Sequence, residues 1–194
     1  MLYRTCRGLA LGFLAVLLST DAAFGATYKI DIAHSSVGFS VRHIVSRTTG
    51  RFNDFKGRVV YDEANPSAST VSATIQIAGI DTDNERRDNH LRSADFFNAE
   101  KFKTLNFTSS SIKRLKENTY QISGELTMHG VSKEITLDAI YRGHQKNPAN
   151  NKEAEAFQIT GTLNRSDFNI GNDFAESLIS DEVKIEANIE FIQQ

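Results

Sequence analysis

Cysteine is nearly absent from this 194-residue chain, and the single one, Cys6, sits ahead of the first apolar run. No disulfide framework and no thiol nucleophile are available to anything that follows it. The same position keeps Cys6 from becoming the lipidated first residue of a processed protein. Proline occurs twice, at Pro66 and Pro148, within the polar stretches DEANPSAS and GHQKNPANNKEAE. Both stretches read as loops, so no strand pattern is interrupted. A cationic surplus is missing too, since 22 basic against 24 acidic residues give a formal charge of −2. That balance argues against nucleic-acid binding, which needs clustered Lys and Arg to neutralise phosphates.

Nor does any apolar run reach the roughly 20 residues that cross a bilayer. The run from Leu9 to Leu18 follows Arg4 and Arg7 and precedes small residues, which is the layout of a signal peptide. Cleavage after Ala23-Phe24-Gly25 makes 1–25 the leader and 26–194 the exported domain. Its loss removes two of the 22 basic and one of the 24 acidic residues, leaving 20 against 23 and a charge of −3. What remains is enough chain for a single domain held by its core alone.

Signatures of catalysis and metal binding are sparse. There is no G-x-S-x-G elbow and no local pair of carboxylates on an apolar strand face. The five histidines, at 34, 43, 90, 129 and 144, lack the i, i+2 or i, i+4 partners that bring two ligands together. No catalytic residue, metal or cofactor is expected.

What is present is alternation of apolar and polar residues. In TYQISGELTMHGVSKEITLDAIY (119–141), Tyr120, Ile122, Leu126 and Met128 share one face, and Ile135, Leu137, Ala139 and Tyr141 another. His129 to Lys133 turn between the two strands of a hairpin. The same rhythm runs through Tyr28, Ile30 and Ile32, through Val37, Phe39 and Val41, and through Phe55, Val59 and Tyr61. It continues in Val71, Ala73, Ile75 and Ile77, in Phe157, Ile159 and Leu163, and from Val183 to Phe191. One face of an antiparallel sheet is apolar throughout, which predicts an all-β barrel or sandwich of about eight strands.

One segment, Asp83 to Glu100, breaks the alternation and reads as a helix. Asp81 or Asp83 is its N-cap, and Leu91, Phe96 and Phe97 dock its C-terminal end. A shorter irregular or helical piece is expected around Ile44 to Thr49.

Five motifs follow one another in order: YKIDIAHSSVGFSVRH, GRFNDFKGRV, IDTDNERRDNHLRSADFFNAEKF, YQISGELTMHGVSKEITL and RSDFNIG. Together they resemble the YceI family over nearly the whole exported domain. The family's HS-x-x-x-F start is met by His34, Ser35 and Phe39, and its R-D-x-H-L segment by Arg87, Asp88, His90 and Leu91. Asp95, Phe96 and Phe97 follow. Gly124, Leu126, Thr127, His129, Gly130, Ser132 and Lys133 match the hairpin motif, and Arg165, Asp167 and Phe168 match R-x-D-F. The chain departs from the pattern at Lys103, where proline is common, and at Asn169, where glycine is usual. Asn tolerates a left-handed backbone, so the turn at 169 can survive.

The resemblance implies an extended antiparallel lipocalin-like barrel of the periplasm, with an elongated apolar cavity for a polyisoprenoid, a quinone or another long-chain lipid. Periodicity alone reads Phe39, Val41, Ile75, Ile77, Phe107, Leu126, Met128, Ile135 and Leu137 as inward-facing, which suits a filled core as well as a cavity wall. His43 extends the inward series as a core histidine or a group at the cavity end. Arg42, Arg86, Arg87, Arg92 and His90 are candidates to meet a polar head group, the alternative being a solvated helix face. The nine inward-facing apolar residues together with His43, Arg87, His90, Leu91, Phe96 and Phe97 make up the expected ligand-binding set.

The expected role is a non-enzymatic carrier or store of a long amphiphilic lipid, with transient membrane contact and a homodimer among its possible associations. Two alternatives use the same cavity. One is a hydrolase or isomerase of a lipid-like substrate, and the other a stress-response scavenger of foreign hydrophobic compounds.

Overall fold

The structure, a computed structural model, describes residues 26–61, 66–148 and 150–194; the expected leader, 1–25, lies outside the described residues. Eleven strands and one α-helix follow in order: β1 (Ala26–Ile30), β2 (Ser36–His43), β3 (Ser46–Phe52), β4 (Phe55–Tyr61), β5 (Thr70–Gln76), β6 (Ile80–Asp81), α1 (Glu85–Arg92), β7 (Thr104–Lys116), β8 (Thr119–Met128), β9 (Val131–Lys146), β10 (Glu153–Asn164) and β11 (Ile179–Gln193). Eight of them, β1, β4, β5, β7, β8, β9, β10 and β11, close into an antiparallel barrel through the pairing of β11 with β1. The barrel expected from the alternation is therefore present. No described helix is long and apolar enough to cross a membrane.

The remaining strands, β2, β3 and β6, branch from the same ring. β11 pairs with β2 from Ile179 to Asn188 and then with β1 from Phe191 to Gln193. Between those partners the Asp31 carboxylate accepts from the Ala33 amide at 3.0 Å and opens a 3-10 turn, Ile32–His34. The Ser35 hydroxyl accepts from the Glu190 amide at 2.9 Å and ties the break to β11. A single strand could not follow both ladders. The turn lets the chain leave the closed barrel and add β2 as one wall of its open end.

The interior divides accordingly. Tyr28, Phe55, Ala187, Ile189 and Phe191 pack at the β1 end, with Phe157 against Phe191 at 6.2 Å and Tyr141 at 5.2 Å. Burial pushes the Tyr141 hydroxyl above its ordinary pKa, and a hydrogen bond to Glu155 adds to the shift. At the β2 end lies a second cluster, with Phe52, Ile77, Ile80, Phe96, Leu105, Leu126, Met128, Phe168 and Ile170 buried.

Three local expectations are corrected. The helix covers Glu85–Arg92 rather than 83–100, and its N-cap is Asn84, whose side chain accepts from the Arg87 amide at 3.0 Å. After Arg92 the chain folds back, with the Phe97 amide donating to the Leu91 carbonyl at 3.0 Å, and this brings Phe96 and Phe97 under the helix. The piece around Ile44 to Thr49 is neither irregular nor helical, but a two-residue turn leading into β3. β3, SRTTGRF, has one apolar residue, so its ladder with β2 decides its conformation where its composition is silent. Ile77 is not a strand residue; it opens the 3-10 turn Ile77–Gly79.

Candidate ligand-binding cavity

A cavity of about 380 Å³ occupies the β2 end of the barrel. Its wall follows from strand register. Val41 stands opposite Val183 and Phe39 opposite Ile185 on β11, and Thr48 and Gly50 of β3 flank the same two residues on the other side. Leu105 from β7, Leu126 and Met128 from β8 and Ile75 from β5 complete the barrel side, and Leu91, Phe96 and Phe97 cover the end. Val37, Phe39, Val41, Ile75, Leu91, Val183 and Ile185 are only half-buried, because their inner faces meet the cavity rather than one another.

Gly50 is part of this geometry. A Cβ at position 50 would collide with the Phe39 ring and approach the Thr82 methyl within 2.8 Å. The missing side chain lets Phe39 lie against β3, its ring 5.6 Å from that of Phe52. Replacing Gly50 by valine is expected to drive the Phe39 ring inward and shrink the cavity. Enhancement of anilinonaphthalene sulfonate fluorescence should then fall severalfold in G50V while the far-ultraviolet circular dichroism is retained.

Polar groups enter from α1, the segment before it and the loop before β11. Arg87 donates from Nε to the Thr82 hydroxyl at 2.8 Å and from Nη2 to the Thr82 carbonyl at 2.7 Å. Buried Asp88 accepts from the Thr82 amide at 2.9 Å and from its hydroxyl. Thr82 is thus the peg that fixes α1 to β6. His90 stands edge-on to Phe96 at 5.0 Å and to Phe174 at 5.8 Å, with Nε2 3.0 Å from the Asp95 carboxylate.

Arg165 is the buried cation of the site. Its guanidinium donates to the carbonyls of Ile170 (3.0 Å), Phe174 (2.7 Å), Ile179 (3.2 Å), Ser180 (3.3 Å) and Gly171. One side chain therefore gathers the loop from 170 to 180, which brings Ile170, Phe174 and Leu178 to the cavity. Asn169, at φ +56, is the left-handed cap of the preceding 3-10 turn, the conformation that glycine would supply.

Of the residues expected to bind a ligand, Phe39, Val41, His43, Ile75, Arg87, His90, Leu91, Phe96, Phe97, Leu126 and Met128 line the cavity. Ile77 is fully buried beneath it, and Phe107 and Ile135 pack against the surrounding core. Leu137 lies toward Gly161, where an added Cβ would stand 2.5 Å from its methyl. Among the cations considered for a head group, Arg92 holds the carbonyls of Ala78 and Ile80, and Arg42 those of Ile44 and Glu176. Arg86 is exposed. His129, at φ +52 in the β8–β9 turn, has Nδ1 3.1 Å from the Phe168 carbonyl and is structural. Among wall residues outside the expected set, Val183, Ile185 and Leu163 carried the alternation signal, whereas Thr48, Phe174 and Leu178 sit in polar sequence without periodicity.

Asp31, His34 and Glu190 bring possible metal-ligand atoms within 4.8 Å of one another at the β1–β2 break. Asp31 and His34 are joined by a hydrogen bond of 2.9 Å, which holds the carboxyl below its usual pKa and lifts the imidazole above its own.

The sequence pattern of the YceI-like domain matches residues 28–191. A UPF0312 protein of Photorhabdus laumondii is 39% identical over 100% of both chains. The YceI protein of Salmonella agona is 39% identical over 96% of this chain and 97% of its own. Among solved structures, the YceI protein of Campylobacter jejuni superposes with a TM-score of 0.72 at 34% identity, covering 84% of this chain and 96% of that one. A polyisoprenoid binding domain from Saccharophagus degradans shares the fold at a TM-score of 0.63 and 16% identity, over 87% and 99% of the two chains. The ordered motifs, the closed eight-stranded barrel and these similarities agree: the chain belongs to the YceI family.

Proposed function

We propose that the protein sequesters the apolar tail of a long-chain amphiphile, a polyisoprenoid or quinone-type lipid, and serves as its carrier or store in the periplasm. The observation that supports this most is the half-buried apolar wall around about 380 Å³ of internal space. A wall of that kind is poorly solvated, and each methylene-sized group moved into it from water contributes about 0.8 kcal/mol. The volume falls within the roughly 300–1,000 Å³ typical of ligand pockets. Family membership points to the same ligand class, as does the name of the Saccharophagus degradans barrel.

Orientation falls to the polar rim. His90 and Arg87 reach the cavity from α1, and Arg87 Nη1 has no hydrogen-bond partner among the described residues, so a phosphate, carbonyl or hydroxyl head group would meet a free donor there. Export depends on the leader at 1–25.

Calorimetric titration of delipidated protein with a long-chain prenol tests the reading. Binding at micromolar concentration or tighter is expected, with the lipid recovered unchanged after prolonged incubation. Absence of binding at that concentration contradicts sequestration, and a modified lipid contradicts a carrier without turnover.

A further inference from the structure

β2 and β3 are joined by two residues, Ile44 and Val45. Ile44 has φ +53, a region in which a β-branched residue is a true outlier. Two-residue hairpin turns ordinarily place Gly, Asn or Asp at such positions. Both side chains also reach solvent, with Ile44 51% and Val45 94% exposed. A glycine-containing turn would relieve the strain and remove the apolar surface together. Breaking two local rules at one exposed point marks a place where function overrides stability.

The tip is held firmly and adjoins the cavity mouth. The Ile44 amide donates to the Leu178 carbonyl at 2.8 Å, and Arg42 donates to the carbonyls of Ile44 and Glu176, each at 2.8 Å. Leu178, itself 37% exposed, lines the cavity together with His43. The apolar tip therefore adjoins the cavity through Leu178 without forming part of its wall. Arg42 and Arg47 flank it without a carboxylate partner among the described residues, while Asp173 and Glu176 lie on the adjoining loop.

We propose that the β2–β3 tip enters the surface of an anionic lipid bilayer and turns the cavity mouth toward the membrane, where an apolar chain can pass between the two. The proposal rests on the lipid-binding reading above. A bilayer fits this patch better than a protein does. Ile44, Val45 and Leu178 fall far short of the roughly 1,200 Å² of a specific protein interface. Insertion among headgroups, in contrast, needs only the burial of the aliphatic groups themselves, with arginines placed against anionic lipid.

The test is co-sedimentation of the lipid-free protein with vesicles of phosphatidylcholine containing phosphatidylglycerol, compared with the variant carrying Ile44→Gly and Val45→Ser. Loss of the two aliphatic side chains should lower vesicle partitioning by about tenfold or more. The thermal midpoint should stay unchanged or rise, and uptake of a prenol from solution should be unaffected. Equal partitioning of variant and parent overturns the proposal. So does a parent protein that takes up prenol yet ignores vesicles, an outcome that leaves the carrier reading standing. A joint loss of partitioning and prenol uptake makes the tip part of the cavity wall and also overturns it. Vesicle binding through the tip without any prenol uptake upholds docking and removes the carrier reading instead.

Discussion

Replacing Arg165 by methionine is expected to destabilise the protein by about 3–5 kcal/mol, a large share of the ~5–15 kcal/mol typical of a domain. The guanidinium serves five backbone carbonyls, from Ile170 to Ser180, and is itself buried. A buried carbonyl left without a donor loses roughly 1–3 kcal/mol, and solvent reaching the loosened loop recovers part of the total. Lysine should not rescue the loss. Its ammonium offers three donors from one point, whereas the planar guanidinium spreads five across a fork. Urea denaturation of R165M and R165K measures the effect, and a loss below about 1 kcal/mol would show that the loop closes without this side chain. Because the same loop carries Phe174 and Leu178, ligand affinity should fall with stability.

The second large effect separates binding from stability. Val41 and Val183 face each other across the β2–β11 ladder, and both line the cavity. Changing both to phenylalanine places two rings in the space where a lipid tail would lie. Excluding even four or five methylene-sized groups at about 0.8 kcal/mol each should weaken prenol binding by two orders of magnitude or more. Stability should hold or rise, since the new rings occupy existing space instead of forcing a packed core apart. Titration of the double variant measures the first effect and thermal melting the second. Undiminished affinity would place the ligand elsewhere. A sharp loss of stability would mean that the space is too confined to take the rings.

The barrel was legible in the sequence because alternation has a period fixed by the pleat. Val37, Phe39, Val41 and the series from Val183 to Phe191 could face only one way. The two-ladder partnership of β11 was not legible, since the same inward residues serve whether one strand or two lie beside them. β3 escaped because Ser46, Arg47, Thr48, Thr49 and Arg51 carry no apolar signal, and their strand exists through pairing. The helical pattern runs past the end of the helix because Phe96 and Phe97 fit a helical stripe as well as the returning segment that holds them. At the site, Phe39, Leu91 and Leu126 were readable from pattern and motif. Phe174 and Leu178 were not, because Arg165 holds the loop through the carbonyls of Phe174 and of Ile179, the neighbour of Leu178, and backbone carbonyls are the same in every sequence.

Native mass spectrometry of the protein isolated from its native cells without detergent, followed by organic extraction, tests the central claim most directly. A carrier of the kind proposed should release a long-chain prenyl or quinone species bound one to one, and the V41F/V183F variant isolated in the same way should release none. Recovery of the parent protein empty, with added prenol leaving its mass unchanged, would contradict lipid sequestration by the cavity.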